Sequence, residues 1–288
     1  MIEQALYAHL IKQADLAEHL GVYDDKPAIF GQEAPADIDG KWSPGLKYGR
    51  IVFAVDIEGD PERAMGGTLA VDIVCEEGKQ FPEDVEPILR QLIHGWFFSS
   101  GTFTVAAQWK NSSYFTQPKE QLIGCTLSFE LLAFPVITTA SPDIIVRINE
   151  WTASRFPNIH TINHDTLTDA AWKPQGDESA VYWRLVQDNP AGWIPDTFQT
   201  IWRTATVRCH IFSESNATAV SVARDITVRL YADRRILKSN ESPIMVDRKI
   251  TTDLGADPLR TGQVSVEATY AIIARRATDA VLKHIEYD

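Results

Sequence analysis

Two runs of β-branched and apolar residues mark the clearest strands in the chain. Residues 68–74 and 204–211 have strand propensity, and each run ends in an acidic, turn-forming segment. A segment of helical period follows each run, and two further strand-like runs follow that segment. Because this succession recurs about half a chain apart, the pattern predicts a structural unit that occurs twice.

The first predicted unit contains a helix, two strands, a second helix and a closing pair of strands. Apolar residues at helical spacing predict the first helix over residues 3–19, with Gly21 as its stop. The second helix begins at Pro82, whose position is typical of a first turn, and continues to Ile93. Residues 58–67 are predicted as an unusually long hairpin loop. The strands are predicted at residues 51–57, 68–74, 102–109 and 121–134.

The second predicted unit repeats this order with little side-chain identity. Its helices are predicted at residues 144–156 and 217–231, and its strands at residues 181–186, 204–211, 244–250 and 264–273. Residues 188–200 correspond to the long hairpin loop, and residues 277–285 are predicted as an additional helix. The predicted fold class is α+β, with two similar domains over residues 1–137 and 138–288. Each domain is expected to contain a mainly antiparallel sheet flanked by helices.

Charge divides the chain into an acidic half and a nearly neutral half. Residues 1–140 contain 10 lysines and arginines against 20 aspartates and glutamates, whereas residues 141–288 contain 17 against 19. An acidic surface does not bind phosphate backbones by counterion release, so sequence-specific nucleic-acid binding is disfavoured. Such a surface is compatible with a passage along which DNA moves without adhering. No apolar run reaches the ~18 residues that a membrane helix requires, and the first residues do not resemble a secretory signal.

No pattern in the sequence predicts a catalytic, cofactor-binding or metal-binding site. The three cysteines, Cys75, Cys125 and Cys209, have no paired spacing, which argues against a disulfide framework or a zinc site. His160 and His164 are four residues apart but lie in a segment without helical character, so polar loop histidines are the favoured interpretation. A group of acidic residues near the start of the chain lacks the spacing of a calcium loop and is interpreted as a solvent-exposed edge. Its members are Asp24, Asp25, Glu33, Asp37 and Asp39.

The first half resembles the tail-terminator and tail-completion proteins of tailed bacteriophages. The resemblance begins with a helix that leads into Gly21-Val22-Tyr23-Asp24-Asp25 and a proline. It continues through the strand at residues 51–57, the Gly59-Asp60 turn, the strand at residues 68–74 and the helix at residues 85–93. It ends in Thr126-Leu127-Ser128-Phe129-Glu130-Leu131-Leu132. Members of that family are usually about half as long as this chain, so the resemblance implies a tandem duplication.

The resemblance implies a non-enzymatic virion protein that caps the tail tube as a ring and joins it to the head connector. The implied partners are further copies of the chain in a trimeric or hexameric ring, the tail tube, sheath proteins where present, and the connector. DNA would pass through without specific binding, no membrane is involved, and assembly would occur in the bacterial cytoplasm. Loop position and apolar character suggest the residues of the protein–protein interface. They are Asp60, Glu62, Arg63, Met65, Trp193, Ile194 and Phe198.

Two other classes of function fit the same sequence. One is a neighbouring phage component, such as a head–tail joining protein or a baseplate adaptor, which shares the same assembly chemistry. The other is an α+β enzyme whose active site uses no recognised motif. A deep pocket with converging titratable groups and shifted pKa values would indicate the enzyme.

Overall fold

The computed structural model shows a mixed α+β protein in which strands predominate. The described residues are 2–45, 47–60, 63–100, 103–135, 143–162, 170–192, 194, 196, 200–237, 243–256 and 261–273. None of the helices in these ranges has the length and hydropathy needed to cross a membrane. The predicted helix at residues 277–285 lies outside the described residues.

Five helices and fifteen strands occur in the described ranges. The helices are α1 (Ile2–Leu10), α2 (Ala14–Ala17), α3 (Pro82–Ile93), α4 (Ile144–Arg155) and α5 (Asn216–Asp233). The strands that precede α4 are β1 (Val22–Tyr23), β2 (Lys26–Pro27), β3 (Ile29–Gly31), β4 (Arg50–Asp60), β5 (Arg63–Glu76), β6 (Phe97–Ser99), β7 (Phe103–Gln117) and β8 (Leu122–Pro135). The strands that follow it are β9 (Ile159–Thr161), β10 (Ala171–Trp172), β11 (Ser179–Pro190), β12 (Thr200–Ser213), β13 (Arg235–Leu237), β14 (Pro243–Thr252) and β15 (Val264–Ile273).

The strands form two large sheets and one two-stranded ribbon. The seven-stranded sheet has the order β10-β6-β7-β8-β5-β4-β3, and the six-stranded sheet has the order β13-β14-β15-β12-β11-β9. In the first sheet, β4, β5, β8 and β7 pair in antiparallel fashion, and β3 joins β4 in parallel. Apart from β3, the first sheet is therefore antiparallel. In the second sheet, β13, β14, β15 and β12 also pair antiparallel.

The strands β4 and β5 extend into the segment that the sequence predicted as a loop, because β4 ends at Asp60 and β5 begins at Arg63. Glu58 pairs with Gly66 and Asp60 pairs with Arg63, with a register irregularity between the two pairs. On its other side, β5 pairs with β8 as far as Met65. The long-loop prediction is therefore wrong for residues 58–60 and 63–67. Backbone pairing with β8 stabilises an extended conformation at Gly66 and Gly67, although their local propensity favours a turn.

The first predicted helix is interrupted. Residues 3–19 contain α1 and α2, with an extended residue, Gln13, immediately before α2. Leu10 and Leu16 are both fully buried. Six positions apart on one continuous helix, these side chains would diverge by roughly 120° around the axis. The interruption allows both of them to be buried.

The first compact unit comprises residues Met1–Val136, His160–Tyr182 and Phe212–Ser215. Its main core lies between α1, α3 and one face of the seven-stranded sheet. A second group of aromatic rings surrounds Phe97 and Phe134, and here each ring centroid lies within 6.0 Å of at least one other. The other members of this aromatic group are Trp172, Tyr182 and Phe212. The first unit therefore includes segments from beyond residue 137.

The second compact unit comprises residues Ile137–Ile159, Trp183–Ile211 and Asn216–Asp288. Asp143 begins α4 by accepting hydrogen bonds from the backbone N–H groups of Ile145 and Val146. Trp183 is buried and donates its indole N–H to the hydroxyl of Thr152, at 2.9 Å. This bond satisfies a polar group that burial would otherwise penalise.

Candidate functional surface

The predicted interface residues fall into three groups. The backbones of Asp60, Arg63 and Met65 lie in β4 and β5 rather than in a loop. Ile194 lies in the connection between β11 and β12, is half-buried, and donates its N–H to the carbonyl of Ala191. Glu62, Trp193 and Phe198 lie outside the described residues. That these seven residues form one interface stays a prediction.

Two acidic residues of the first loop, Asp37 and Asp39, accept hydrogen bonds from nearby side chains and backbone groups. Asp37 accepts hydrogen bonds from Tyr48 and Arg50, which outweigh the opposing effect of burial and lower the pKa of its carboxyl. Asp39 accepts a backbone N–H from Lys41 and a hydroxyl from Tyr23, and both bonds lower its pKa. These contacts give the loop a structural role, and no group of metal-binding residues occurs within the described ranges.

The first histidine of the spaced pair, His160, does not lie on a helix. His160 lies in the short strand β9, with its ring 4.9 Å from the ring of Trp172. His164 lies outside the described residues. The ring contact indicates packing for His160.

The three cysteines are buried and unpaired. Burial raises the pKa of Cys75 to about 11 and, together with nearby Glu86, does the same for Cys125. Burial also raises the pKa of Cys209. A catalytic thiol usually has a lowered pKa and partial exposure, so these cysteines have the character of core residues.

One face of the seven-stranded sheet is covered by helices. Alternate side chains of β4, β5 and β8, including Phe53, Val71 and Phe129, are buried in the core cluster, and α3 packs across β5, β8 and β7. Trp109 of β7 lies beneath Arg90 of α3, at 5.0 Å from ring centroid to guanidinium carbon. This face has a structural role.

The opposite positions of the same strands form a surface that we call the polar face. Its members are Ala54, Asp56, Thr68, Ala70, Asp72, Lys110, Thr126, Ser128 and Glu130, all of them exposed or half-buried. The strand register places Asp56 beside Thr68, Thr68 beside Glu130, and Asp72 beside Thr126. Thr126 donates its hydroxyl to Asp72 at 2.5 Å, and Lys110 lies 3.3 Å from Glu130. Three carboxylates against one lysine make the polar face acidic.

Two strands, β4 and β7, also have one edge that lacks a neighbouring strand along part of its length, within the described residues. β6 accompanies β7 only at residues 104–106, and the contacts of β7 with residues 94–96 end at Trp109. β3 accompanies β4 only at residues 51–53. Within the described residues, no strand lies beside residues 110–117, here called the free β7 edge, or residues 54–60, called the free β4 edge. Unpaired strand edges are templates for association with another chain.

The second unit has a shallow groove beside α5. Its volume is about 380 Å³, and it is lined by Arg155, Phe156, Asp225, Val228, Arg229 and Ala232. Val228 is 67% exposed, so the groove is open to solvent. Asp233 lies 3.0 Å from Arg155 and 3.3 Å from Arg229, and hydrogen bonding from Trp151 lowers the pKa of its carboxyl. Arg155 and Arg229 are therefore already paired with Asp233, unlike the charged groups of an active site, which are arranged to act on a substrate.

No protein-family model matches this chain, and no curated protein matches it significantly.

Proposed function

We propose that this protein is a non-enzymatic structural component of a tailed-phage virion, with tail terminator as its leading role. The observation that carries the proposal is the construction of the seven-stranded sheet. One face is sealed by helices, and the other is a polar, acidic face built on two long hairpins. In a ring whose polar faces line the channel, DNA would pass without being retained, because acidic groups repel its phosphates.

The strand orders support the further proposal that the chain contains two similar units. Reading β6-β7-β8-β5-β4-β3 against β13-β14-β15-β12-β11-β9 gives the same order of corresponding strands. The helices also correspond, because α1 and α4 precede these strands, while α3 and α5 follow β5 and β12. A tandem duplication of a tail-terminator-like unit accounts for this correspondence.

The ring is tested by measuring the molar mass of the protein with light scattering across a wide concentration range. We expect a closed oligomer, three or six chains, and ring-shaped particles in electron micrographs. The same sample should bind isolated tail tubes and should not retain double-stranded DNA at low salt. A protein that stays monomeric at high concentration and has no affinity for tubes would contradict the proposal.

A head–tail joining protein or baseplate adaptor is the second candidate, since the same sheet could pair with a different phage component. Labelling the protein in intact virions separates the two roles. A signal at the junction of tube and head supports the terminator, and a signal at the distal end supports the adaptor.

A further inference from the structure

We infer that copies of this chain associate by antiparallel pairing of the free β7 edge of one copy with the free β4 edge of the next. The inference rests on the proposed function for the closure of the ring, but it specifies the contact itself. It also differs from the interface suggested by the sequence, which relied on loop side chains.

The directions of the strands favour this pairing. β4 is antiparallel to β5, β5 to β8, and β8 to β7, so β4 and β7 run in opposite directions. When two copies lie side by side with the same face forward, the β7 strand of one adjoins the β4 strand of the other in antiparallel orientation. Head-to-tail contacts of this kind use two different surfaces and generate rings when the rotation closes.

The two edges are also complementary in length and position. The free β7 edge begins where the contacts with β6 and residues 94–96 end, and it extends to the end of β7. The free β4 edge begins where β3 ends and extends to the other end of the sheet. If the second copy is displaced along the strand direction, its β3 lies beyond the end of the first copy's β7. The β6 of the first copy then lies beyond the end of the second copy's β4. β3 and β6 thereby fix the offset between neighbouring copies, which corresponds to the shear between strands in a closed barrel.

The backbone groups have the spacing that such a ladder needs. In antiparallel pairs, successive residues alternate between bonding to one neighbour and bonding to the other. Ile51 donates its N–H to Ala28 and Phe53 accepts from Gln32 on the β3 side, so Val55 and Ile57 direct their backbone groups outward. On β7, Ala107 bonds outward to residues 95 and 96. After the irregularity between Trp109 and Asn111, the alternation places the outward groups at Ser112, Tyr114 and Thr116.

Charge favours a second copy as the occupant. The free β4 edge contains Asp56, Glu58 and Asp60 and no basic residue. The free β7 edge contains one charged residue, Lys110, and is uncharged from Asn111 to Gln117. With Val55 opposite Thr116 and Ile57 opposite Tyr114, Lys110 comes to the acidic end of β4. An antiparallel β4–β4 contact would instead bring the acidic residues of both edges together, and a β7–β7 contact would offer Lys110 no acidic residue on the facing edge.

Cross-linking tests the contact directly. Ala54 and Gln117 are exposed, and the proposed register places them opposite each other on the polar face. The variant carrying both Ala54→Cys and Gln117→Cys should give a ladder of covalent multimers with a short bis-maleimide, because the native cysteines are buried. Each single variant is the matched control and should remain uncross-linked. Intact rings without cross-linking of the double variant would overturn the inference and leave the proposed function standing.

Blocking one edge gives a second, independent test. Thr116→Pro removes an outward N–H from an exposed position without affecting the bonds between β7 and β8, whereas Thr116→Ala keeps the N–H. We expect at least a tenfold weaker assembly for the proline variant, an unchanged circular dichroism spectrum, and shortened assemblies when it is mixed with the unaltered chain. Rings of undiminished stability from Thr116→Pro would refute the pairing. An unaltered chain that stays monomeric would instead refute the proposed function.

Discussion

Gly124 on β8 shows how closely single residues determine the seven-stranded sheet. A Cβ atom built at this position would lie 2.2 Å from Cζ of Phe115 and 2.5 Å from the carbonyl oxygen of Ile73. The Phe115 ring on β7 therefore occupies the space that a side chain at residue 124 would need. Glycine at residue 124 leaves space for the Phe115 ring of the neighbouring strand.

We expect Gly124→Ala to destabilise the protein by about 1–3 kcal/mol, because the ring and the β5 backbone must move. The measurement is the midpoint of urea unfolding followed by circular dichroism. Gly40→Ala is the matched control, since nothing lies within 4 Å of its added Cβ. Equal stability of the two variants would show that Phe115 does not fill this space in solution.

At the scale of elements, His9 joins α1 to the end of α3. Its Nε2 lies 3.0 Å from the carbonyl oxygen of Leu92, and its ring centroid lies 4.1 Å from that of Trp96. Burial lowers the pKa of His9, the hydrogen bond to Leu92 opposes this effect in part, and the charge of Lys12 lowers the pKa further. The neutral imidazole therefore suits this joint better than the imidazolium.

The lowered pKa predicts a loss of stability on acidification. Between the pKa of the folded state and the ordinary value near 6.5, the unfolded chain binds more protons, so the free energy of unfolding falls as the pH falls. One pKa unit corresponds to about 1.4 kcal/mol. His9→Gln keeps an N–H donor for Leu92 and should show a shallower decline below pH 6.5 in chemical denaturation. His94, whose pKa burial also lowers, accounts for a residual slope. An identical pH profile for the variant would exclude His9 as a contributor.

Elements with a strong period could be predicted from the sequence, and those that depend on distant partners could not. α3, α4 and α5 lie where their apolar spacing placed them. β6, β10 and β13 are only two or three residues long and exist because a neighbouring strand pairs with them, so no local pattern marks them. The polar face was missed because it follows from the register of four strands, β4, β5, β8 and β7. The free edges were missed because they follow from the ends of β3 and β6.

At the scale of the whole molecule, the segments that make up the first compact unit determine which fragment of this chain can fold on its own. The sequence predicted domains at residues 1–137 and 138–288. In the structure, Phe97 and Phe134 pack against Trp172, Tyr182 and Phe212, and β10 pairs with β6. A fragment ending at residue 137 would lack these three rings and β10. Aromatic pairs contribute roughly 0.5–1.5 kcal/mol each beyond the area that they bury.

A fragment of residues 1–137 should therefore be markedly less stable than the same unit in the complete chain. Four ring pairs would be lost, on the order of 2–6 kcal/mol, which is a large share of the ~5–15 kcal/mol typical of a folded domain. We expect the fragment to bind a hydrophobic dye and to unfold at a lower temperature and with less cooperativity. The complete chain carrying Trp172→Ala and Phe212→Ala is the control and should show part of this loss. A fragment that unfolds cooperatively at the temperature of the complete chain would instead establish residues 1–137 as an autonomous domain, because its core would then not need the later segments.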